Sequence, residues 1–299
     1  MLQFVLSGLA FGAIYGLIAM ALAISYYVTR VINFAQGQIM MVAIMLTAAI
    51  TASGYSAWLA VPVGLASSCV IAVISYFVAV RPILAFDRTS FGWLVSTLGF
   101  AVVVENAAAY IWGPTSRAFP PILNGVGVHI AGAVLTGQQV LAIAVGVLFA
   151  ALFEAVRKRT LFGKLGVAIA ADPEMASAIG ANITIVAIVA FAISGFFSGV
   201  AGVLIGPSTF ANPYLGHTYG TFGFIAMMIG GTERPVAAMF GGLLLGVLSE
   251  GADALINSQA SDWFPFLVLV LILILTPRGL FSGTTPFGRW RMPGFPRRG

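Results

Sequence analysis

The sequence predicts an all-α polytopic membrane protein of about eight or nine transmembrane helices, and three observations carry that prediction. Hydrophobic residues make up 60% of the chain and charged residues only 8%, whereas a soluble domain is about a quarter charged. No charged side chain occurs between Arg30 and Arg81, and none between Glu174 and Glu233. Apolar runs recur at about the 20 residues a helix needs to cross roughly 30 Å of hydrocarbon. Such spans must be helical so that backbone polar groups pair internally.

The runs place spans at about 4–28, 32–52, 58–80, 91–112, 138–156, 183–206, 218–231, 236–256 and 263–277. The first has no Lys or Arg ahead of it, unlike a cleavable signal, and is expected to be retained. The second must begin near Ile32, because residues 39–52 alone are too few to cross. The seventh is short enough to be re-entrant. Gly8, Gly12 and Gly16 on the first span, Gly195, Gly199, Gly202 and Gly206 on the sixth, and Gly241, Gly242 and Gly246 on the eighth suit close helix packing. Ser7-Gly8 and Ser194-Gly195 open similar ladders on spans of opposite expected direction. That pattern is open to two readings, an inverted repeat or chance likeness of glycine-rich helices.

With the N-terminus outside and the C-terminus cytoplasmic, all 14 basic residues except Arg117 fall on the cytoplasmic side. The net charge of +5 is then the positive-inside bias of a membrane protein, and no nucleic-acid partner is implied. Pro114, Pro120 and Pro121, with Gly113, Gly125 and Gly127, make 113–137 an external loop that packs rather than spans. Residues 1–280 read as the membrane domain and 281–299 as a basic, Pro/Gly-rich cytoplasmic tail suited to anionic lipid.

Catalysis finds little support. Cys69 is the single cysteine, His129 and His217 are far apart, and no nucleophile–base pair or metal cluster lies at membrane depth. The chain is expected not to be an enzyme.

The longest charged interruption, residues 154–182, reads EAVRKRTLFGKLGVAIAADPEMASAIGAN. Asp172 is a favoured N-cap, Pro173 suits the first turn, and Glu174 complements the helix dipole. Gly180 can stop the helix about two turns later. A short surface helix over 173–179 would present Glu174, Met175 and Ser177 while Ala176 and Ile179 face the membrane domain. It is either an ordinary capped connector or a docking element for another protein.

Within VINFAQGQIMMVAIM, Asn33, Gln36 and Gln38 put three amides at membrane depth, with Gly37 among them. They are either interhelical glue or the polar wall of a solute path. Glu105, well inside the fourth span, is costly unless it faces a cavity or a partner. Glu250 and Asp253 near the outer end of the eighth span suit interfacial solvation or a docking protein. Met227, Met228, Phe222 and Phe224 read as packing residues and His217 as a loop residue.

Four motifs in order resemble the permease subunits of branched-chain amino acid ABC importers, over nearly the whole chain. INFAQGQIMM is similar to that family's Asn-Phe-Ala-[His/Gln]-Gly signature, and FGFIAMMIGGTERPVAAMFGGLLLGVLSE to its late Gly-Gly…Pro…Gly-Gly segment. TPRGLFSG is similar to its closing motif. In 157–182, Arg157–Arg159, Phe162-Gly163, Ala168–Ala171, Asp172, Met175-Ala176 and Gly180 to Asn182 resemble its cytoplasmic coupling loop. Thr232-Glu233-Arg234 departs from the smaller residues usual before Pro235.

The resemblance implies a multi-pass permease of the bacterial inner membrane, importing branched-chain or related amino acids and doing no chemistry itself. The chain lacks the phosphate-cradling G-x-x-x-x-G-K-[ST] motif, so it holds no cofactor and ATP-Mg would be bound by partner subunits. Implied partners are two ABC ATPase subunits, a second homologous permease chain and a solute-binding protein. Asp172, Pro173, Glu174, Met175, Ala176 and Ser177 are the expected coupling residues, and Asn33, Gln36, Gly37, Gln38 and Glu105 the expected path residues. The alternative is an ion-coupled secondary transporter, which commonly has several ionisable groups at mid-membrane.

Overall fold

The computed structural model describes residues 2–86, 91–119, 127–130, 133–178, 180–257, 259–276 and 279–281. The expected tail beyond Phe281 lies outside these residues, as do Arg88, Pro120, Pro121, Gly125, Ile179 and Arg278. Helix dominates. Among the described residues, 6 helices are long and apolar enough to cross a membrane.

In chain order the helices are α1 (Leu2–Thr29), α2 (Gln36–Ala52) and α3 (Ala57–Ser75). A π-helical turn, Tyr76–Val80, joins α3 to α4 (Arg81–Phe86), so the third rod runs past its expected end. Then come α5 (Gly92–Trp112), α6 (Gly137–Arg159), α7 (Leu161–Ala171), α8 (Pro173–Ala178) and α9 (Ile183–Thr209). The chain continues through α10 (Leu215–Gly230), α11 (Pro235–Leu255) and α12 (Ala260–Leu275).

The core is a column around α1, which packs along α11 and α9. The glycine ladder makes that contact possible: a Cβ on Gly12 would stand 2.8 Å from the Gly242 carbonyl oxygen. Residues Ala13 to Ala23 of α1 are all buried, which accounts for its uniform apolarity. By contrast α5, α6 and α12 keep broad apolar faces exposed, as helices facing lipid or another membrane chain do.

Two segments share one plan. After 28 residues α1 stops at Arg30 with φ 58°, and after 27 residues α9 stops at Phe210, also with φ 58°. A left-handed conformation at a bulky non-glycine residue marks a forced reversal of the chain. A short non-helical stretch then leads to a short helix, α2 with 17 residues and α10 with 16. Gln36 at the start of α2 bonds to Ser194 and Ser198, halfway along α9, so α2 begins inside the bundle and not at its edge. The second span therefore does not begin near Ile32. Asn33 is the reason: its side chain accepts from the Ala35 N–H at 3.2 Å and its carbonyl accepts from the Gln36 N–H at 3.1 Å, an Asx-type turn that competes with helix.

Between α5 and α6, where the sequence predicts only loop, β1 (Gly127–Ile130) pairs antiparallel with β2 (Ala133–Thr136). Gln3 grips it through both amide atoms at Val134. Arg117 pairs with Ala211 through backbone bonds, tying this loop to the α9–α10 reversal. The described parts of the loop pack, as expected. Thr136 and Gln139 form a reciprocal capping box that starts α6.

Gly279 lies against Gly231 with φ +87°, and the Leu280 and Phe281 N–H groups donate to the Ile229 and Gly230 carbonyls. The late Gly-Gly segment and the closing TPRGLFSG motif are thus two sides of one contact, which caps the end of α10.

Candidate functional site

Gly37 on α2 and Gly216 on α10 bring the first turns of the two short helices into backbone contact. A Cβ on Gly37 would collide with the Gly216 carbonyl, and one on Gly216 with the Gln38 side-chain oxygen. No other residue fits this crossing. Beside it lies a cavity of about 240 Å³ walled by α1, α2, α5 and α10. It is somewhat smaller than the roughly 300–1,000 Å³ of drug-sized ligand sites and suits one small solute.

The cavity has one polar edge. Gln36, Gly37 and Gln38 of α2 face Glu105 of α5, with His217 and Thr221 of α10 beside them. Gln38 is 4% exposed, and its Nε2 donates to Glu105 Oε2 at 2.6 Å. Gln38 Oε1 is buried without a donor. The other wall is apolar, contributed by Leu22, Leu98, Val102 and Phe224. Phe34, in the turn before α2, lies against Trp93 and Phe224 and closes that side with aromatic rings.

Four of the five expected path residues, Gln36, Gly37, Gln38 and Glu105, therefore meet at one cavity. The fifth, Asn33, is buried elsewhere, donating to Ser75 Oγ at 3.0 Å. Gln36 has two attachments: besides its place on the wall, Nε2 donates to the Ser194 carbonyl at 3.0 Å and Ser198 Oγ at 2.6 Å, and Oε1 accepts from Ser194 Oγ. Glue and wall are thus combined in one side chain. The sequence points to Ser194 only as the start of a glycine ladder and not, with Ser198, as the partner of Gln36. Their signal was present as two hydroxyls four apart on a charge-free helix, hence on one face.

His217 is corrected from loop to helix: it lies in the first turn of α10, which starts three residues earlier than expected. Phe222 and Met227 are buried packing residues, whereas Phe224 also lines the cavity. Asp253 Oδ1 accepts from the Ser261 N–H at 2.6 Å and so anchors the start of α12.

A second constellation lies at the far end of α1. Asp172 Oδ1 accepts from the Glu174 and Met175 N–H groups, both at 3.0 Å, which caps α8. Glu174, Met175 and Ser177 are exposed, Met175 by 66%, while Ala176 is 1% exposed and packs on the membrane core. The helix α7 ahead of it was not anticipated. Thr160 caps it through the Gly163 N–H, and Gly163, Gly166 and Ile169 are buried while Leu161, Lys164 and Val167 are exposed. Glycines and a lysine within an apolar run hid its amphipathic face. Arg30 Nη2 donates to the Ala170 carbonyl at 2.6 Å, so the end of α7 is fastened to the reversal that leads into α2.

Comparison with known proteins identifies the family. The family model described as "Branched-chain amino acid transport system / permease component" matches residues 4–276. The high-affinity branched-chain amino acid transport system permease protein LivH of Escherichia coli K12 is 31% identical, with 94% of this chain and 95% of that protein covered. BraD of Pseudomonas aeruginosa, of the same description, is 30% identical over the same shares of both chains. Among solved structures, PsaBC from Streptococcus pneumoniae in complex with Fab aligns at a TM-score of 0.49 and 12% identity, over 94% of this chain and 93% of that one. The chain belongs to the family of permease components of branched-chain amino acid transport systems.

Proposed function

We propose that the chain is the permease subunit of an ATP-driven importer for branched-chain or related amino acids, and that the cavity beside the α2–α10 crossing is a station on its path. The carrying observation is that Gln36, Gly37, Gln38 and Glu105 converge on one cavity where two short helices begin inside the bundle. Many transporters hold solute at broken helices near the centre of a bundle, where irregular backbone is tolerated because it is buried in protein or lines a cavity.

The spread of basic residues supports an N-terminus outside and a cytoplasmic C-terminus in the inner membrane, opposite sides that call for an odd number of crossings, nine with the expected spans. In that orientation α7 and α8 stand on the cytoplasmic side. The exposed Glu174, Met175 and Ser177 then form the docking face for two ATPase subunits, and Asp172, Pro173 and Ala176 set that face rigidly on the core. Movement of α8 passes through α7 to Arg30, and from there along residues 31–35 to the polar edge of the cavity. A second permease chain completes the path, and a solute-binding protein delivers substrate from outside.

The test is leucine uptake into proteoliposomes holding the complete complex. Uptake requires ATP and fails when an ion gradient alone is imposed. Thr221→Trp, which places a large ring in the cavity and disturbs only a bond within its own helix, abolishes uptake while the complex still assembles. Wild-type uptake by this variant contradicts the path.

A further inference from the structure

Glu105 has no cationic partner among the described residues, where the ion pairs are those of Glu154 with Arg157 and Lys158. One carboxylate oxygen receives Gln38 Nε2 and the other has no hydrogen bond there. A charged side chain at membrane depth costs about 2.5–3.5 kcal/mol on insertion scales, and such groups normally face a partner or a wet cavity. Here the neighbouring amide adds to the imbalance, because Gln38 Oε1 is also an acceptor without a donor. The edge is therefore rich in acceptors, carries one negative charge, and faces a wall of Leu22, Leu98, Val102 and Phe224.

We propose that Glu105, oriented by Gln38, binds the ammonium group of the passing substrate, and that the apolar wall takes its aliphatic side chain. This rests on the cavity being on the solute path. One carboxylate matches the single ammonium of a zwitterionic amino acid, and the Thr221 hydroxyl on the same edge is placed for the substrate's own carboxylate. A divalent metal ion would need several oxygen ligands, and no group of three or more His, Cys, Asp or Glu gathers among the described residues. An uncharged amide or urea would donate to the carboxylate without the coulombic attraction that an ammonium adds. The station thus selects aliphatic amino acids over neutral amides of similar size.

The experiment uses the complete complex in proteoliposomes, with leucine as the probe and substrate-stimulated ATPase measured in parallel. Glu105→Gln keeps the size of the side chain and an oxygen for Gln38 Nε2, but removes the charge. Uptake falls about tenfold or more while ATPase stimulation by the loaded binding protein persists. Glu105→Asp retains most uptake. The swap E105Q/Q38E returns one carboxylate to the same edge and restores uptake, which also decides the matter if E105Q alone assembles poorly. Unchanged uptake by E105Q, or an assembled swap that stays defective, overturns the ammonium assignment. Thr221→Trp separates the two claims: if it blocks uptake while E105Q does not, the path stands and the ammonium site falls.

Discussion

At the scale of single residues, the amides of the second helix divide their duties in a way their spacing could not reveal. Asn33, Gln36 and Gln38 are visible in the sequence as polar groups in an apolar run. Their partners are not, because Ser75 lies 42 residues from Asn33 and Ser198 lies 162 residues from Gln36. Gln36 is the most heavily bonded, and its loss leaves buried hydroxyls unpaired. Gln36→Leu should cost about 1–3 kcal/mol of stability, the desolvation penalty of groups left without partners. Asn33→Ala removes the bond to Ser75, worth about 0.6 kcal/mol on average between helices in a membrane, together with the turn bond from the Ala35 N–H, and should cost about 1 kcal/mol. Thermal unfolding of the two variants in detergent checks the order. A larger loss for Asn33→Ala would show that the Ser194–Ser198 contact is not the main tether.

Among the helices, length and apolarity located nearly every rod, and the misses have physical causes. The rule that a span needs about 20 apolar residues pushed the second helix back to Ile32. The true start at Gln36 is set by the side chain of Asn33, and a helix that begins inside the bundle need not have the full length. Capping chemistry was more reliable: Asp172-Pro173-Glu174 predicted α8 to within a residue of its end. Helix α7 remained hidden because its buried stripe consists of two glycines and Ile169, which carry little hydrophobic signal. In the proposed coupling, the bond from Arg30 to Ala170 makes α7 part of the route from the docking face to the cavity. Glu174→Lys with Met175→Trp should prevent ATPase subunits from co-purifying. Arg30→Ala should leave them bound and hydrolysing ATP, yet lower uptake severalfold. Equal loss of ATPase binding in both variants would place Arg30 in the docking face and not in the linkage.

Considered as a whole molecule, the chain uses one construction twice: a long helix, a left-handed reversal at a bulky residue, and a short helix starting inside the bundle. The Ser-Gly ladders of the first and sixth spans gave a faint sign of this. The reversals themselves, at Arg30 and Phe210, carry no sequence mark, since neither is a glycine. The two short helices that follow them cross at Gly37 and Gly216, beside the cavity. The proposed solute cavity thus lies level with the middle of α9, and the proposed docking helix α8 lies beyond the start of that same helix. The importer reading requires that α8 be reachable from the cytoplasm and covered by the motor. Met175→Cys in a Cys69→Ser background gives a thiol on the most exposed apolar side chain of α8. A membrane-impermeant maleimide should label it in inside-out vesicles stripped of ATPase, fail to label it in intact spheroplasts, and be blocked when the ATPase subunits are restored. Labelling from the outside, or labelling indifferent to the ATPase, would contradict the account.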